Sequence, residues 1–357
     1  MKLPLLKEAQ ISGKTVFLRV DLDVPIKAQS SKLKAQSWIE DDARLLAAIP
    51  TIEYLLEHGS KVIMAGHLGR PQQKDRDDEF SLKPVAKWLV KRFKIYDLRF
   101  KKIDGFAGWE IMPNLFLLEN LRLYEGEEKN DPKFAKKLAD LADVYVNDAF
   151  AVSHRIHASI VGITKFLPSF AGFHLQKEIE NLSQVLQNPR RPLVVVIGGK
   201  KIETKLPLVS KMYSVADYIL VGGKIAEAAK EFLKIEHRKT KGPKAILLVA
   251  DLNVIRTGIL ENSLNNFVEI IGLAKTIVWN GTMGMVVNDD DYQHASKRIA
   301  GAIIKSKAYT VVGGGDTTEF LRKVHIIDRF SFSSTGGGAM LSFLSGEKLP
   351  GLVALEA

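Results

Sequence analysis

Short apolar runs rich in β-branched residues recur along the whole chain, separated by longer stretches with helical periodicity. The nine clearest runs cover residues 15–24, 61–65, 115–118, 144–146, 192–197, 218–221, 245–249, 276–279 and 309–312. Continuous apolar runs are typical of strands buried on both faces, as in parallel sheets covered by helices. The alternation therefore predicts an α/β protein with two doubly wound parallel-sheet domains.

The length of 357 residues also fits two domains of about 150 residues each. We expect a first domain over residues 1–168, a connection containing a helix over 169–188 and a second domain over 189–340. Pro168 directly precedes this connection, and a helix is predicted from His174 onwards. In the first domain, Asp131 and Pro132 predict a helix start, with Asp as N-cap and Pro at the first helical position.

Composition narrows the class of protein further. Hydrophobic residues make up 46% and charged residues 26%, which excludes a disordered or collagen-like chain. The absence of cysteine excludes a disulfide scaffold and thiolate chemistry. The first residues do not resemble a signal peptide and no apolar run is long enough for a membrane span, so we expect a cytoplasmic protein. A net charge of +10 suggests anionic partners.

The residues that follow the predicted strands differ between the two halves. First-half strands run into charged side chains, namely Asp21, Asp23, His67, Arg70, Glu119, Arg122, Asp148, His154 and Arg155. Second-half strands run into glycines, at residues 198–199, 222–223, 281 and 313–315. Ligands of open parallel sheets bind outside the carboxyl ends of the strands, so both sets lie where a ligand is expected.

The glycine turns favour a phosphate-bearing ligand, because backbone N–H groups can approach phosphate oxygens closely there. Neither a P-loop nor a spaced G-x-G-x-x-G motif is present. Asp316 could hold Mg²⁺ beside phosphates or cap the next helix, and its position alone leaves both open. Lys201 and Lys205 project from one side of a helix start, where cations are unfavourable, and a bound anion would account for them.

Arginines form the sharper pattern in the first half. Arg44, Arg70, Arg122 and Arg155, with His67, could converge on a small, doubly anionic molecule, since a guanidinium matches carboxylate and phosphate groups. A lone arginine is usually a solvated surface residue and a lone histidine is often a core residue. Their shared placement after strands favours a binding site. Phosphoryl transfer needs no catalytic triad, because positioning and charge neutralisation do most of the work.

At these residues the sequence resembles the phosphoglycerate kinase family. The similarity covers nearly the whole chain, and its motifs occur in the family's order. They are RVDLDVP (19–25), HLGRP (67–71), LENLR (118–122), EGEEKNDP (125–132), NDAF (147–150) with His154 and Arg155, GGKK (198–201) through Lys205, WNGTMG (279–284), GGGDT (313–317) and STGGG (334–338).

The resemblance implies a two-domain monomeric kinase that moves a phosphoryl group between 1,3-bisphosphoglycerate and ADP, giving 3-phosphoglycerate and MgATP. It implies that the first domain binds phosphoglycerate and the second binds nucleotide, with hinge closure between them. It also implies that residues 341–357 return to the first domain. By motif, the phosphoglycerate ligands would be Asp21, Asp23, His67, Arg70, Arg122 and Arg155.

The catalytic and nucleotide residues are implied in the same way. Arg44 would reach the carboxyl end of the substrate and stabilise the phosphoryl group in flight. Lys201 and Lys205 would neutralise the transferring group and the nucleotide phosphates, and Asp316 would hold Mg²⁺. The remaining nucleotide contacts would come from Gly222, Asn280, Gly314, Gly315 and Thr317, with the amides around Gly337 and Gly338 supporting the transition state.

Several positions depart from the family pattern. Asp23 replaces an Asn, which should weaken anion binding unless a neighbouring arginine compensates. Lys200 and Lys224 add positive charge near the predicted nucleotide phosphates, and Thr282 replaces a Pro.

The predicted adenosine pocket departs further. Val287 replaces a Glu that binds the ribose, although Asn288 follows it, and the stretch 223–279 is several dozen residues shorter than usual. We therefore expect an intact phosphoryl-transfer centre with altered nucleotide affinity or selectivity.

Two other functions stay open. A non-catalytic relative would bind phosphoglycerate but not nucleotide, and the presence of Arg44, Lys201, Lys205 and Asp316 argues against it. A basic nucleic-acid-binding protein would fit the charge, but no recognisable nucleic-acid-binding motif is present. We expect no nucleic-acid or membrane partner.

Overall fold

The computed structural model describes residues 3–26, 39–71, 79–95, 97–199, 201–236, 245–252, 258–284 and 290–356. The chain divides into two compact units, one formed by Met1–Lys177 with Leu349–Ala357 and the other by Glu178–Lys348. The boundary between the units lies inside one helix, Phe173–Gln187. Among the described helices, none is long and apolar enough to cross a membrane.

The first unit is built on a seven-stranded sheet. Its strands are β1 (Thr15–Arg19), β2 (Lys61–Ala65), β3 (Arg99–Ile103), β4 (Phe106–Met112), β5 (Leu115–Leu118), β6 (Val144–Asn147) and β7 (Ser169–Ala171). In space the order is β3-β4-β5-β2-β1-β6-β7. All pairs are parallel except those that β4 makes with β3 and β5.

The first unit also contains helices from the first half of the chain and the last helix of the chain. They are α1 (Ala43–Glu57), α2 (Lys83–Arg92), α3 (Glu125–Glu128), α4 (Pro132–Ala139), the first part of α5 (Phe173–Gln187) and, at the end of the chain, α12 (Pro350–Glu356). Helix α12 joins the unit through Gly351, whose N–H donates to the Ser153 carbonyl at 2.8 Å. A single π-helical turn, Ala158–Gly162, lies against it.

The second unit has a six-stranded sheet that is parallel throughout. Its strands are β8 (Leu193–Ile197), β9 (Tyr218–Val221), β10 (Ile246–Val249), β11 (Thr276–Asn280), β12 (Tyr309–Gly313) and β13 (Phe332–Ser333), in the spatial order β10-β9-β8-β11-β12-β13. The helices are α6 (Ile202–Met212), α7 (Ala226–Glu236), α8 (Glu261–Leu273), α9 (Asp290–Ser306), α10 (Gly315–Lys323) and α11 (Gly337–Leu344).

The apolar runs of the sequence form the central strands because both faces of these strands are buried. Every residue of β8 and of β11 is buried, because helices cover both faces of a doubly wound sheet. Each sheet carries a large cluster of buried apolar side chains, and Trp279 is fully buried in the cluster of the second unit. All nine predicted strands are present and each has at least one parallel neighbour, so the predicted α/β class with two parallel-sheet domains is confirmed.

Four strands were not predicted from the sequence. Strands β3 and β4 form an antiparallel ribbon at the sheet edge, where β3 is almost entirely exposed and carries three basic residues. Strands β7 and β13 contain only three and two residues. The predicted helix start at Asp131 is confirmed, since its carboxylate accepts a hydrogen bond from the Phe134 N–H at 2.7 Å.

Candidate active site

Asp23, just beyond β1, is the centre of a group of predicted substrate residues in the first unit. Its Oδ1 accepts from the Gly69 N–H at 2.9 Å, while its Oδ2 lies 3.9 Å from both Arg44 Nη1 and His67 Nε2. The Asp23 carbonyl also accepts from Arg44 Nη1 at 2.5 Å. The carboxylate that replaces the family's amide is therefore surrounded by hydrogen-bond donors and has a neighbouring arginine.

Arg122 reaches the same place from the turn after β5. Its Nη1 donates to the Gly69 carbonyl at 2.6 Å, and its Nε lies 2.9 Å from Glu128 Oε1. Asn120 holds the turn, because its Oδ1 accepts from the Arg122 N–H and its Nδ2 donates to the Leu68 carbonyl at 2.8 Å. Burial lowers the pKa of the Arg122 guanidinium below its ordinary value, and Glu128 opposes that shift.

Asp21 is nearly completely buried beside this group. Its Oδ2 accepts from the Ala151 N–H at 2.9 Å. Burial raises the pKa of the carboxyl group, while the nearby charges of Arg44 and Arg19 work in the opposite direction. The carboxylate is thus tied to the turn after β6, and its predicted contact with substrate stays a prediction.

The two remaining predicted arginines differ in exposure. Arg70 follows Gly69 directly and is exposed to solvent. Arg155 is half-buried, and its charge lowers the pKa values of both Arg122 and His157, so it lies within electrostatic reach of both. Arg70, Arg122 and Arg155 thus follow β2, β5 and β6, while Arg44 in the first turn of α1 reaches the same region through its contacts with Asp23.

Lys205 is the predicted catalytic cation that the second unit buries most deeply. Its Nζ donates to the Gly198 carbonyl and lies 3.5 Å from the Asn280 carbonyl. Burial lowers the pKa of Lys205 to about 8; Asp316 acts against that shift and Lys201 adds to it. Lys201 and Asp316 therefore lie within electrostatic reach of Lys205, and the predicted roles of the three side chains in phosphoryl transfer stay predictions.

Glycines build the wall next to these charges. Gly314 has a φ of +96°, and a Cβ at this position would lie 2.8 Å from Asn280 Nδ2. A Cβ on Gly337 would lie 3.9 Å from the Gly314 Cα, so α10 and α11 begin side by side. First-turn N–H groups of a helix have no intrahelical partner and attract anions. The predicted contacts Gly315, Asp316 and Gly338 lie in these two first turns.

Two residues predicted to bind the nucleotide use their side chains for hydrogen bonds within the protein. Thr317 is fully buried and its Oγ1 accepts from the Gly281 N–H at 2.7 Å. Asn280 is buried as well, with its Nδ2 donating to the Gly313 carbonyl at 2.9 Å. Both side chains hold the glycine turns in place, and phosphate contacts from them stay predictions.

Besides Asp23, two positions that depart from the family pattern, Thr282 and Lys224, lie among the described residues. Thr282 is buried, and its Oγ1 donates to the Gly284 carbonyl at 2.9 Å. Gly222 packs tightly, since a Cβ there would lie 2.7 Å from the Met283 sulfur. Lys224 is exposed two residues later. The structural consequences expected at Lys200, Val287 and Asn288 lie outside the described residues.

Arg19 was missed as a functional candidate from the sequence. It lies at the end of β1 inside an apolar run and is fully buried. Its Nη2 lies 3.1 Å from His67 Nδ1. The available signal was a permanently charged side chain in the middle of a buried strand, which requires buried partners.

Comparisons with known proteins identify the family of this chain. The family model described as Phosphoglycerate kinase matches residues 6–244 and 249–347. The chain belongs to the phosphoglycerate kinase family. The phosphoglycerate kinase of Coprothermobacter proteolyticus is 36% identical over 404 residues, covering 99% of this chain and 99% of the relative. The phosphoglycerate kinase 3, cytosolic, of Arabidopsis thaliana is 37% identical over 400 residues, covering 98% and 97%.

Solved phosphoglycerate kinases share the fold along the whole chain. The structure of phosphoglycerate kinase from Coxiella burnetii superposes with a TM-score of 0.83 at 31% identity, covering 99% of both chains. The phosphoglycerate kinase from Pyrococcus horikoshii OT3 superposes with a TM-score of 0.78 at 30% identity, covering 99% of this chain and 98% of that one.

The relatives also bear on the length of the chain. The alignment with the Coprothermobacter relative has 404 positions and this chain has 357 residues, so at least 47 positions have no counterpart here. The family match is interrupted at residues 245–248, which lie inside the stretch 223–279 that the sequence predicts to be short. The chain is therefore shorter than this alignment, and the placement of the shortening within 223–279 stays a prediction.

Proposed function

We propose that this chain is an active phosphoglycerate kinase, which transfers a phosphoryl group reversibly between 1,3-bisphosphoglycerate and ADP to give 3-phosphoglycerate and ATP in glycolysis and gluconeogenesis. The observation that carries the proposal is the grouping of Arg44, His67 and Arg122 around one small region of the first unit. Membership in the family supports the assignment of that group to the phosphoglycerate.

The acceptor site works through charge and hydrogen-bond geometry. We assign the phosphate and carboxylate of 3-phosphoglycerate to Arg44, Arg122 and Arg155, with Arg70 contributing from the exposed side. Guanidinium groups can each donate two parallel hydrogen bonds to such anions, which fixes orientation as well as adding affinity. His67 adds a neutral donor, since burial and the nearby arginines hold its pKa well below the ordinary value.

The donor site works through backbone and lysine. We assign the nucleotide phosphates to the adjoining first turns of α10 and α11, where N–H groups are available without bulky side chains. Lys201 and Lys205 then offset the negative charge that moves during transfer. With its pKa lowered to about 8, Lys205 is mostly charged at neutral pH, and a bound phosphate favours that charged form.

The side chains present fit Mg²⁺ held together with nucleotide phosphates. Asp316 is exposed in the first turn of α10, and its carboxylate is a hard oxygen ligand. Within the described part of the chain, no three His, Cys, Asp or Glu side chains group as a metal site. Mg²⁺ is usually bound through one or two carboxylates plus phosphate oxygens, and Asp316 supplies one carboxylate. When bound, the ion would neutralise charge on the phosphate oxygens.

The test is phosphoryl transfer from ATP to 3-phosphoglycerate with Mg²⁺, repeated with GTP and with Lys201→Ala. Lys275→Ala is the matched control, because Lys275 is an exposed lysine of the same unit at the opposite, amino end of β11. We expect robust turnover that collapses in Lys201→Ala and persists in Lys275→Ala. The ratio of the turnover rate with ATP to that with GTP measures the nucleotide selectivity of the site.

One alternative is favoured by the shorter length of this chain, since the stretch predicted to be short is also the predicted adenosine pocket. A non-catalytic relative would bind 3-phosphoglycerate, measured by calorimetry, yet turn over neither nucleotide. That pair of results would replace the proposed activity.

We also propose that the enzyme acts as a cytoplasmic monomer with small-molecule substrates and without nucleic-acid or membrane partners. The cytosolic name of the Arabidopsis relative supports the location. Light scattering should give the monomer mass of 39.7 kDa. A mass of twice that value would contradict the monomer.

A further inference from the structure

Arg19 places a permanent positive charge in the core of the first unit. The side chain is fully buried, and three of its nitrogens have acceptors. Its Nε donates to Ser159 Oγ at 2.9 Å, its Nη1 donates to the Val20 carbonyl at 2.5 Å, and its Nη2 lies 3.1 Å from His67 Nδ1. A buried guanidinium with this many directed contacts is held in one orientation.

Glu127 balances the charge through Ser159. Glu127 is fully buried, and its carboxylate accepts from the Ser159 hydroxyl at 2.6 Å and from the Ser159 N–H at 3.0 Å. The Ser159 hydroxyl therefore donates to Glu127 and accepts from Arg19. A buried charge is tolerated when it is paired and hydrogen-bonded, and Ser159 links the Arg19 guanidinium to the Glu127 carboxyl group by hydrogen bonds.

The contact with Arg19 determines the protonation of His67. Arginine has only donors, so His67 Nδ1 must be the acceptor and carries no proton. His67 is almost completely buried and is surrounded by the positive charges of Arg19, Arg122 and Arg44, all of which favour the neutral ring. A neutral imidazole without a proton on Nδ1 has its proton on Nε2.

The Nε2–H group points toward the predicted substrate region. His67 Nε2 lies 3.9 Å from Asp23 Oδ2, and Asp23 in turn lies beside Arg44. We propose that Arg19 is a positioning residue, which fixes His67 as the Nε2–H tautomer and so presents a hydrogen-bond donor to the bound phosphoglycerate. This inference rests on the proposed function for the identity of that ligand.

The direct test is NMR of the histidine side chains in the full-length protein labelled with ¹⁵N-histidine. His67→Gln identifies the His67 signals by their loss. In the unmodified chain we expect the pattern of a neutral ring with its proton on Nε2. In Arg19→Met/Glu127→Gln, where both buried charges are removed together, we expect a mixture of the two neutral tautomers. Arg19→Lys keeps the charge but carries its donors on a single nitrogen, so it cannot reach all three acceptors, and it serves as a second variant.

Tyr145→Phe is the control for a purely structural effect. The Tyr145 hydroxyl donates to the Ser159 carbonyl at 2.8 Å in the same buried region, without touching His67. Its loss should leave the His67 tautomer unchanged. A proton on Nδ1 of His67 in the unmodified chain would overturn the proposal, and so would a pure Nε2–H pattern in both Arg19 variants.

Kinetics then connect the tautomer to the reaction. We expect the double variant to raise the KM for 3-phosphoglycerate about tenfold, as for one lost hydrogen bond to a charged group, with the KM for ATP unchanged. In a His67→Gln background the same change should have less than about a twofold effect, because its target is gone. An equal effect in both backgrounds would overturn the positioning role.

The two proposals fail in different ways. If the unmodified chain shows the Nε2–H tautomer and loses it in the variants, yet never phosphorylates 3-phosphoglycerate, the assignment of Arg19 is supported and the proposed function is refuted.

Discussion

Asp148 gives the first unit a pH dependence that can be calculated from its surroundings. It follows β6 and is 1% exposed, and its Oδ1 accepts from the N–H groups of His174 at 2.8 Å and Leu175 at 3.1 Å, in the first turn of α5. Burial raises the pKa of the Asp148 carboxyl from 3.8 to about 7, with a further increase from Asp21 and opposing hydrogen bonds from Thr51 and the two N–H groups.

The direction of the pH dependence follows from the pKa values of Asp148 in the unfolded and the folded protein. Between pH 3.8 and about 7 the folded protein keeps a proton that the unfolded chain has released, so stability falls as pH rises through this window and is constant above it. Each unit of pKa difference corresponds to about 1.4 kcal/mol. Between pH 5 and pH 8 the contribution of Asp148 to the free energy of unfolding should therefore fall by about 3 kcal/mol.

Asp148→Asn removes the titration and keeps the acceptor for the two N–H groups. The difference in unfolding free energy between Asp148→Asn and the unmodified chain should therefore grow by about 3 kcal/mol from pH 5 to pH 8, in favour of the variant. Asp148→Ala should show the same pH trend, but lowered at every pH by about 1 kcal/mol for the lost helix cap.

The assay is urea unfolding followed by tryptophan fluorescence. Trp279 belongs to the second unit, so Trp279→Phe in every background leaves only tryptophans of the first unit to report. Two-unit proteins need not unfold in one step, and this background isolates the relevant transition. Parallel pH profiles for the unmodified chain and Asp148→Asn would refute the reasoning.

Three further changes test other parts of the structure. Asp23→Asn removes a negative charge beside the proposed anion and should lower the KM for 3-phosphoglycerate about fivefold; an unchanged KM would contradict that placement. Gly314→Ala should cost about 1–2 kcal/mol and weaken ATP binding, because its φ is +96° and Asn280 Nδ2 leaves no room for a Cβ; unaltered melting and ATP titration would contradict it. Asp131→Ala should lower stability by about 1 kcal/mol in chemical unfolding, because the Phe134 N–H loses its cap, whereas Asp131→Ser should retain most of it. Equal curves for the two Asp131 variants would contradict the cap.

The central strands were predictable because burial on both faces demands continuous apolar residues. Strand β3 was not predicted because it is an exposed edge strand, and its charged residues do not form a continuous apolar run. The same limit applies to the site. Strand ends indicate which residues lie at one edge of a sheet, but not which way a side chain turns, and so Thr317 and Asn280 could not be distinguished from open ligands.

The Arg19 relay was invisible in the sequence for a different reason. Ser159 and Glu127 are 140 and 108 positions away from Arg19 along the chain. No local spacing connects them, and only the folded sheet brings them together. The members of the Arg44, His67 and Arg122 group are also far apart in sequence, but His67 and Arg122 each follow a recognisable strand, whereas Arg44 lies in the first turn of α1.

The position of α12 has a consequence for synthesis on the ribosome. The second unit, Glu178–Lys348, is translated in full before Leu349–Ala357, which belong to the first unit. Leu352 and Leu355 of that segment are buried, and Gly351 leaves no room for a side chain against Ile160. The half of the enzyme that is made first is therefore the half that is finished last, and a premature stop near the 3′ end of the message damages the unit encoded at its beginning.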